Sequence, residues 1–192
     1  MKIRRNSMWI ILAGLFVILS PFSVSGASPP SVGGLLPDFE LSVPRDYADR
    51  AYLDLSGRGT FRIPQIDTQV IIILIYSMYC PYCQAEAPSL NELYAKIEGN
   101  RTLKGKIKIL GIATGNSDYE TKIFKKKYSV PFPLFPDGDF TIHKLLGEVR
   151  TPYFIAVKIN PDRSHRVIYS KLGRMEGIDS FLAMIVKMAG IK

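Results

Sequence analysis

A run of seven apolar residues, Val70–Tyr76, restricts the fold of this chain more than any other feature. It reads Val-Ile-Ile-Ile-Leu-Ile-Tyr and lies between the polar residues Gln69 and Ser77. An apolar run without polar alternation indicates a strand that is buried on both faces, and such strands lie at the centre of parallel sheets. We therefore expect an α/β domain in which helices cover a sheet built around this strand.

The remaining strong patterns alternate between strand and helix. Apolar residues recur at helical spacing over residues 81–97, and Ser117-Asp118-Tyr119-Glu120 is typical of a capping box at the start of a helix. The turn sequence Asn160-Pro161-Asp162 predicts an antiparallel hairpin. The predicted strands are 70–76, 107–112, 153–159 and 166–171, the predicted helices are 81–97, 117–128, 140–146 and 179–188, and weaker extended pieces are expected at 39–43, 52–55 and 61–63.

Residues 1–27 differ in composition from the rest of the chain. Three basic residues precede an apolar run from Met8 to Leu19, and Ser25-Gly26-Ala27 supplies the small residues that a signal peptidase accepts. The run is shorter than the roughly 20 residues that span a bilayer as a helix. We therefore expect a signal peptide that is cleaved after Ala27 and directs the protein to the periplasm or another extracytoplasmic compartment. The alternative is an uncleaved membrane anchor formed by the same segment.

The next segment, residues 28–34, is rich in Ser, Pro and Gly, which predicts a linker between the signal and the folded part. We expect one domain of ordinary size over residues 35–192, because the chain is too short for a second large core. Lysine and arginine outnumber acidic residues by 25 to 17. The run Lys125-Lys126-Lys127 falls on a predicted helix and is expected to be a solvated face, so the charge does not indicate nucleic-acid binding.

The chemistry of the chain is concentrated in Cys80-Pro81-Tyr82-Cys83, which contains both of its cysteines. Cys80 follows the buried strand and stands where the next helix begins. The N-terminus of a helix stabilises a thiolate through unpaired N–H groups and a partial positive charge, so Cys80 is the candidate nucleophile. Cys83 lies almost one helical turn later and is the candidate resolving thiol, which would close a disulfide with Cys80.

A pair of cysteines at this spacing has three other known uses. A structural disulfide is an open alternative, although a loop of four residues stabilises a domain by only about 2 kcal/mol. A zinc site needs four ligands, and the two histidines, His143 and His165, show no paired ligand spacing. Covalent haem attachment requires a histidine directly after the second cysteine, where Gln84 stands. We therefore expect thiol chemistry without a metal or another cofactor.

Several motifs around the cysteines occur together in one group of proteins. Pro37-Asp38-Phe39-Glu40-Leu41 is similar to the entry signature of that group, and Pro88 matches the proline inside its active-site helix. Thr151-Pro152 matches its cis-proline loop, and Gly173 matches the glycine after its last hairpin strand. On these residues, positions 34–187 resemble the exported thioredoxin-like proteins of the TlpA/ResA type, within the AhpC/TSA redoxin superfamily. The resemblance implies a thioredoxin fold, with a central mixed sheet flanked by helices and an N-terminal extension.

The resemblance also implies roles for individual residues. Cys80 and Cys83 would form the redox-active disulfide, and the backbone of Thr151 and Pro152 would lie beside Cys80 and pair with an extended substrate. Glu86 matches an active-site glutamate that takes part in proton handling at the second cysteine. The alternative for Glu86 is an exposed glutamate in the first turn, where it would favour the helix dipole.

The chain departs from the family pattern at three positions. Tyr79 stands where the family usually has tryptophan, and Tyr82 stands where it has proline. Leu74 occupies the place of the buried aspartate of thioredoxin itself. These departures leave the type of reaction unchanged but put the redox potential and the partner in question.

The resulting expectation is an exported thiol-disulfide oxidoreductase that acts as a reductant. The resemblance implies a membrane thiol reductant as electron donor and protein disulfides, such as those of apocytochrome c, as substrates. A disulfide-forming oxidase is one alternative. A peroxiredoxin-type peroxidase is another, for which Ser77 would serve but Ile73 stands where a proline is needed. A redox-inert binding module is the third, and such modules usually lack one cysteine of the pair.

Overall fold

The computed structural model describes residues 27–191, so the proposed signal peptide lies outside the described residues except for Ala27. Between residues 27 and 191, no helix has both the length and the hydropathy that a membrane crossing requires. The strands are β1 Leu41–Ser42, β2 Thr60–Phe61, β3 Val70–Tyr76, β4 Ile107–Thr114, β5 Leu134–Asp137, β6 Tyr153–Ile159 and β7 His165–Leu172; the helices are α1 Tyr47–Tyr52, α2 Pro81–Gly99, α3 Asp118–Lys127, α4 Thr141–Leu145 and α5 Ile178–Ala189.

The main sheet has five strands in the order β5-β4-β3-β6-β7. Strand β3 pairs in parallel with β4 and antiparallel with β6, while β6 and β7 form the antiparallel hairpin that the turn sequence predicts. The expected mixed sheet is therefore confirmed, with β3 at its centre. A separate sheet of two short strands, β1 and β2, precedes it in the chain.

The side chains of β3 alternate between two hydrophobic cores. Ile72, Leu74 and Tyr76 pack in one cluster with the buried faces of α2, α3 and α5. Ile71, Ile73 and Ile75 pack in the other with the N-terminal residues and α4. Every residue of β3 is at most 2% exposed, as the uninterrupted apolar run predicts. Both faces of the strand are thus fixed by packing, which also fixes where it ends and α2 begins.

The structure differs from the expected elements in two places. Residues 52–55 were expected to be extended, but Tyr52 is the last residue of helix α1 and a turn follows it. The helix begins after Asp46, whose side chain accepts a hydrogen bond from Asp49 N–H at 3.1 Å. Strand β5 was not predicted, because Pro133 and Pro136 argue against a strand. The strand forms because it lies at the edge of the sheet, where a proline does not interrupt a ladder on both sides.

Residues 28–34, expected to be a linker, are bound to the domain. Gly33 N–H donates to the Val167 carbonyl at 2.8 Å, and Val167 N–H donates to the Gly34 carbonyl at 2.9 Å. The segment therefore extends the outer edge of β7, which would otherwise expose unpaired backbone groups. Pro30 is buried, and the Ser28 and Pro29 backbone lies against Gly147. The folded part consequently begins before Leu35.

Gly147 tests this docking. Its φ is +79°, and a Cβ placed there would lie 2.5 Å from the Pro29 nitrogen; Gly105 has a similar φ of +75° with open space around it. Both Gly147→Ala and Gly105→Ala carry the strain of a left-handed backbone, about 1–2 kcal/mol. We expect Gly147→Ala to lower the free energy of unfolding more than Gly105→Ala does, because its methyl group would also displace the Ser28 and Pro29 backbone. For the same reason, Gly147→Ala should speed amide hydrogen exchange at Gly33 and Val167, whereas Gly105→Ala should not. Equal losses with unchanged exchange would show that the segment is not held in this way.

Candidate active site

Cys80 lies between the end of β3 and the start of α2. A turn over residues 77–80 follows the strand, with Cys80 N–H donating to the Ser77 carbonyl at 3.1 Å. Cys80 is the N-cap of α2, and its sulfur accepts a hydrogen bond from Cys83 N–H at 3.4 Å. Pro81 occupies the first helical position, where a missing N–H costs no hydrogen bond. The first N–H groups of a helix have no carbonyl partner within the helix, and here the sulfur accepts a hydrogen bond from one of them.

The two cysteines, both free thiols in this structure, differ sharply in exposure. Cys80 is partly exposed, whereas Cys83 is 1% exposed and packs in the cluster that contains Leu74 and Tyr76. A partner molecule can therefore reach the Cys80 sulfur from solvent, while the Cys83 sulfur is covered.

The same difference appears in their pKa values. Burial acts to raise the pKa of Cys80, but hydrogen bonds from Cys83 and Thr151 and from the backbone N–H groups of Cys83 and Tyr82 outweigh it, so the pKa lies below its ordinary value. Burial raises the pKa of Cys83 to about 12, and a hydrogen bond to Cys80 adds to the increase. Because the thiolate is the nucleophile, Cys80 is activated and Cys83 is held as a thiol.

The loop before β6 brings Thr151 and Pro152 to the cysteines. The peptide bond between them is cis, as the sequence analysis expects. The Cys80 thiol donates to the Thr151 carbonyl across 3.4 Å, and the Thr151 side chain also interacts with both sulfurs. Two residues expected at the site from the sequence are thus close to Cys80, 71 positions away in the chain.

Glu86 is 1% exposed, so the expectation of an exposed glutamate in the first turn is wrong. One carboxylate oxygen accepts from Arg174 Nε at 2.6 Å, and the other accepts from Met175 N–H at 3.0 Å. Arg174 also donates to the Ala85 carbonyl at 3.2 Å. The burial arises because the segment after β7 folds over this side of α2. Glu86 therefore joins α2 to that segment through an ion pair that the sequence does not indicate.

A second contact that sequence reasoning missed holds the residue next to the nucleophile. The Tyr79 ring is 65% exposed, and its hydroxyl donates to Glu120. Glu120 also accepts from Ser117 N–H and completes the predicted capping box of α3. The hydrogen bond from Tyr79 lowers the pKa of Glu120, which keeps the carboxylate ionised as an acceptor. The capping-box pattern indicated Glu120 but not its link to Tyr79.

The family model described as the AhpC/TSA family matches residues 32–172. Among characterised proteins, the chain is 26% identical to the thiol-disulfide oxidoreductase ResA of Oceanobacillus iheyensis over 129 residues, which is 65% of this chain and 59% of that protein. The chain thus spans about six tenths of the length of this relative.

Solved structures give the same fold at low sequence identity. A Chlorobium tepidum protein assigned as a thiol:disulfide interchange protein DsbE superposes with a TM-score of 0.63 at 15% identity, covering 84% of this chain and 99% of that one. The thioredoxin domain of a thiol-disulfide oxidoreductase from Bacteroides vulgatus gives a TM-score of 0.57 at 12% identity, covering 81% and 98%. These likenesses confirm the thioredoxin fold.

The unequal pKa values of the cysteines predict an unequal response to pH. Alkylation by iodoacetamide requires the thiolate, so its rate rises as pH passes through the pKa of each thiol. We expect Cys80 to reach half of its maximal rate below the pH typical of a free cysteine, and Cys83 to stay almost unmodified at neutral pH because its pKa is about 12. Peptide mass spectrometry across a pH series measures both rates. Comparable labelling of the two cysteines at neutral pH would contradict the assignment.

Proposed function

Because this chain belongs to the AhpC/TSA family, we propose that it is a thiol-disulfide oxidoreductase, which exchanges a disulfide between Cys80 and Cys83 with protein substrates. The observation that carries the proposal is the contrast between two thiols of one helical turn. Cys80 is partly exposed and has a lowered pKa, and Cys83 is buried and has a raised pKa. That pairing suits a nucleophile followed by a resolving thiol.

In the reducing direction, the Cys80 thiolate attacks one sulfur of a substrate disulfide. A mixed disulfide forms, and the other substrate sulfur leaves as a thiolate. Cys83 then loses its proton to that thiolate and attacks the Cys80 sulfur. The second substrate thiolate leaves and takes from solvent a proton equal to the one that the Cys80 thiol released when it ionised, and Cys80 and Cys83 are joined. The substrate has gained two electrons and two protons, and the protein has lost them.

The high pKa of Cys83 explains why Cys80 attacks first and Cys83 attacks second. At neutral pH the Cys83 thiol does not compete for the substrate disulfide, because it is protonated and covered. Its attack becomes favourable when a departing thiolate beside it can accept the proton. A resolving cysteine with these properties lets the mixed disulfide form first and then breaks it.

We extend the proposal to the direction of electron flow. The groups that lower the pKa of Cys80 are hydrogen-bond donors rather than cations, and the guanidinium of Arg174 is paired with Glu86. A strong oxidant needs a much more stable thiolate, so modest stabilisation favours a reductant. The resemblance to TlpA/ResA proteins supports the same direction, with a membrane thiol reductant as electron donor and disulfides of apocytochrome c among the substrates.

The proposed compartment is extracytoplasmic. It rests on the basic and apolar pattern of residues 1–27, which is that of an export signal. The substrates of a disulfide reductant also occur mainly in extracytoplasmic compartments, because disulfides form and persist there. The same segment would hold the protein at the membrane if it is not cleaved.

A peroxiredoxin-type peroxidase is the second candidate, because this class shares the fold and the Pro-Asp-Phe-x-Leu entry signature that the chain resembles, and Ser77 lies three residues before Cys80. Ile73 stands where the peroxide site of that class has proline, and it is fully buried in the core. Rapid consumption of hydrogen peroxide by the reduced protein would favour this candidate over disulfide exchange.

Trapping of mixed disulfides tests the roles of the two cysteines. In Cys83→Ser the resolving thiol is missing, so mixed disulfides between Cys80 and substrate proteins should accumulate. Cys80→Ser removes the nucleophile and is the matched control, in which we expect no accumulation. Non-reducing electrophoresis of protein from the native compartment measures both. Equal trapping by the two variants would contradict the assignment of Cys80 as the nucleophile.

A further inference from the structure

The backbone of Met78, two residues before Cys80, is held at both of its polar groups by side chains from other elements. Its N–H donates to Asn116 Oδ1 at 2.7 Å, and its carbonyl accepts from Gln84 Nε2 at 2.7 Å. Asn116 lies in the loop between β4 and α3, and Gln84 lies at the start of α2. The peptide groups on both sides of Met78 are thereby each held by a side chain from another element.

Asn116 is fully buried, with 0% of its surface exposed. Its Nδ2 donates to the Gly115 carbonyl at 3.1 Å, and its own N–H donates to the Ala113 carbonyl at 3.1 Å. These bonds orient the amide so that Oδ1 faces the Met78 N–H. A buried amide is costly to leave unpaired, so each partner keeps the other in place.

Met78 is the second residue of the turn over residues 77–80, which connects β3 to the start of α2. The turn is closed by the hydrogen bond between Cys80 N–H and the Ser77 carbonyl. Its geometry decides where the Cys80 sulfur lies relative to Cys83 N–H and the Thr151 carbonyl, each of which is 3.4 Å away. Hydrogen bonds weaken steeply when distance and angle are lost, so a small displacement of the turn weakens both contacts.

We propose that Asn116 and Gln84 are positioning residues for the dithiol chemistry, and that they hold the turn so that the Cys80 sulfur caps α2 and contacts Thr151. They act through the backbone of Met78 rather than on a reacting atom. The inference rests on the function proposed above for Cys80. No sequence motif indicates either residue, because the three segments involved come together only in the folded chain.

Asn116→Ala and Gln84→Met test the proposal. Each removes one hydrogen bond to Met78 without adding a charge near the sulfur. Because the bond from Cys83 N–H is the contact that stabilises the thiolate, we expect the pKa of Cys80 to rise by about one unit in each variant. This is a tenfold loss of thiolate stabilisation, which corresponds to about 30 mV for a two-electron couple. The shift is toward more reducing potentials, because the reduced form is the one that loses stabilisation. The pH profile of alkylation at Cys80 measures the pKa, and equilibration with dithiothreitol above that pKa measures the potential.

Asn91→Ala is the matched control. Asn91 also lies on α2, and its Nδ2 donates to the Tyr128 carbonyl at 2.9 Å, at the end of α3. Asn91 Nδ2 also lies 3.3 Å from the Ser129 carbonyl. The control therefore loses the same kind of bond, from a side-chain amide to the backbone, but between α2 and the end of α3 and away from the turn. We expect a lower melting temperature with an unchanged pKa of Cys80 and an unchanged potential.

The proposal is overturned if Asn116→Ala and Gln84→Met lower the melting temperature as Asn91→Ala does while the pKa and the potential stay at the wild-type values. If Asn116→Ala does not fold, Gln84→Met decides, because Gln84 is only partly buried. Alkylation needs neither a partner nor turnover. A failure of the proposed function, seen as an absence of mixed disulfides in Cys83→Ser, is therefore distinguishable from a failure of this inference.

Discussion

The hydrogen bond from Cys83 N–H to the Cys80 sulfur joins the first turn of α2 to the residue that closes the turn after the central strand. A helix begins with N–H groups that lack partners, and here a thiol takes the position that a serine or aspartate usually occupies. The contact exists because β3 is fixed on both faces and Pro81 starts the helix immediately after Cys80. The stabilised thiolate is therefore a consequence of how the sheet passes into the helix.

The two sulfurs belong to the same helical turn but face different surroundings. Cys83 points into the core that β3, α2 and α5 share, and this burial raises its pKa. Cys80 stays at the surface, and the loop before β6 adds Thr151 as a further partner. On the other side of α2, Glu86 and Arg174 join the helix to the segment after β7. The loop before β6 and the segment after β7 are thus both joined to the first part of α2.

Much of this arrangement could be predicted from local patterns. The apolar run of β3, the capping box of α3 and the turn between β6 and β7 each depend on a few adjacent residues, and the structure confirms them. The family motifs likewise indicated Thr151 and Pro152 beside Cys80, which no local pattern would do. Strand β5 was missed because its prolines argue against a strand, and only its place at the sheet edge makes them acceptable.

Three of the contacts that sequence reasoning could not supply are long-range pairs. The ion pair of Glu86 and Arg174, the hydrogen bond of Tyr79 and Glu120, and the bond between Met78 and Asn116 join residues 88, 41 and 38 positions apart. Single side chains of common types carry no mark of such partners. These contacts form only because the fold places the ends of β3 and β4 side by side and packs the C-terminal segment against α2.

The midpoint potential of the Cys80 and Cys83 pair is the most direct measurement of the proposed chemistry. Equilibration of the protein with dithiothreitol buffers, followed by counting of free thiols, yields the fraction of oxidised protein at each ratio. We expect a single two-electron transition at a potential more reducing than about −180 mV, the value typical of a disulfide isomerase. A transition near the roughly −120 mV of a dedicated oxidase would contradict the reductant role. No reversible transition at all would contradict the proposed dithiol exchange itself.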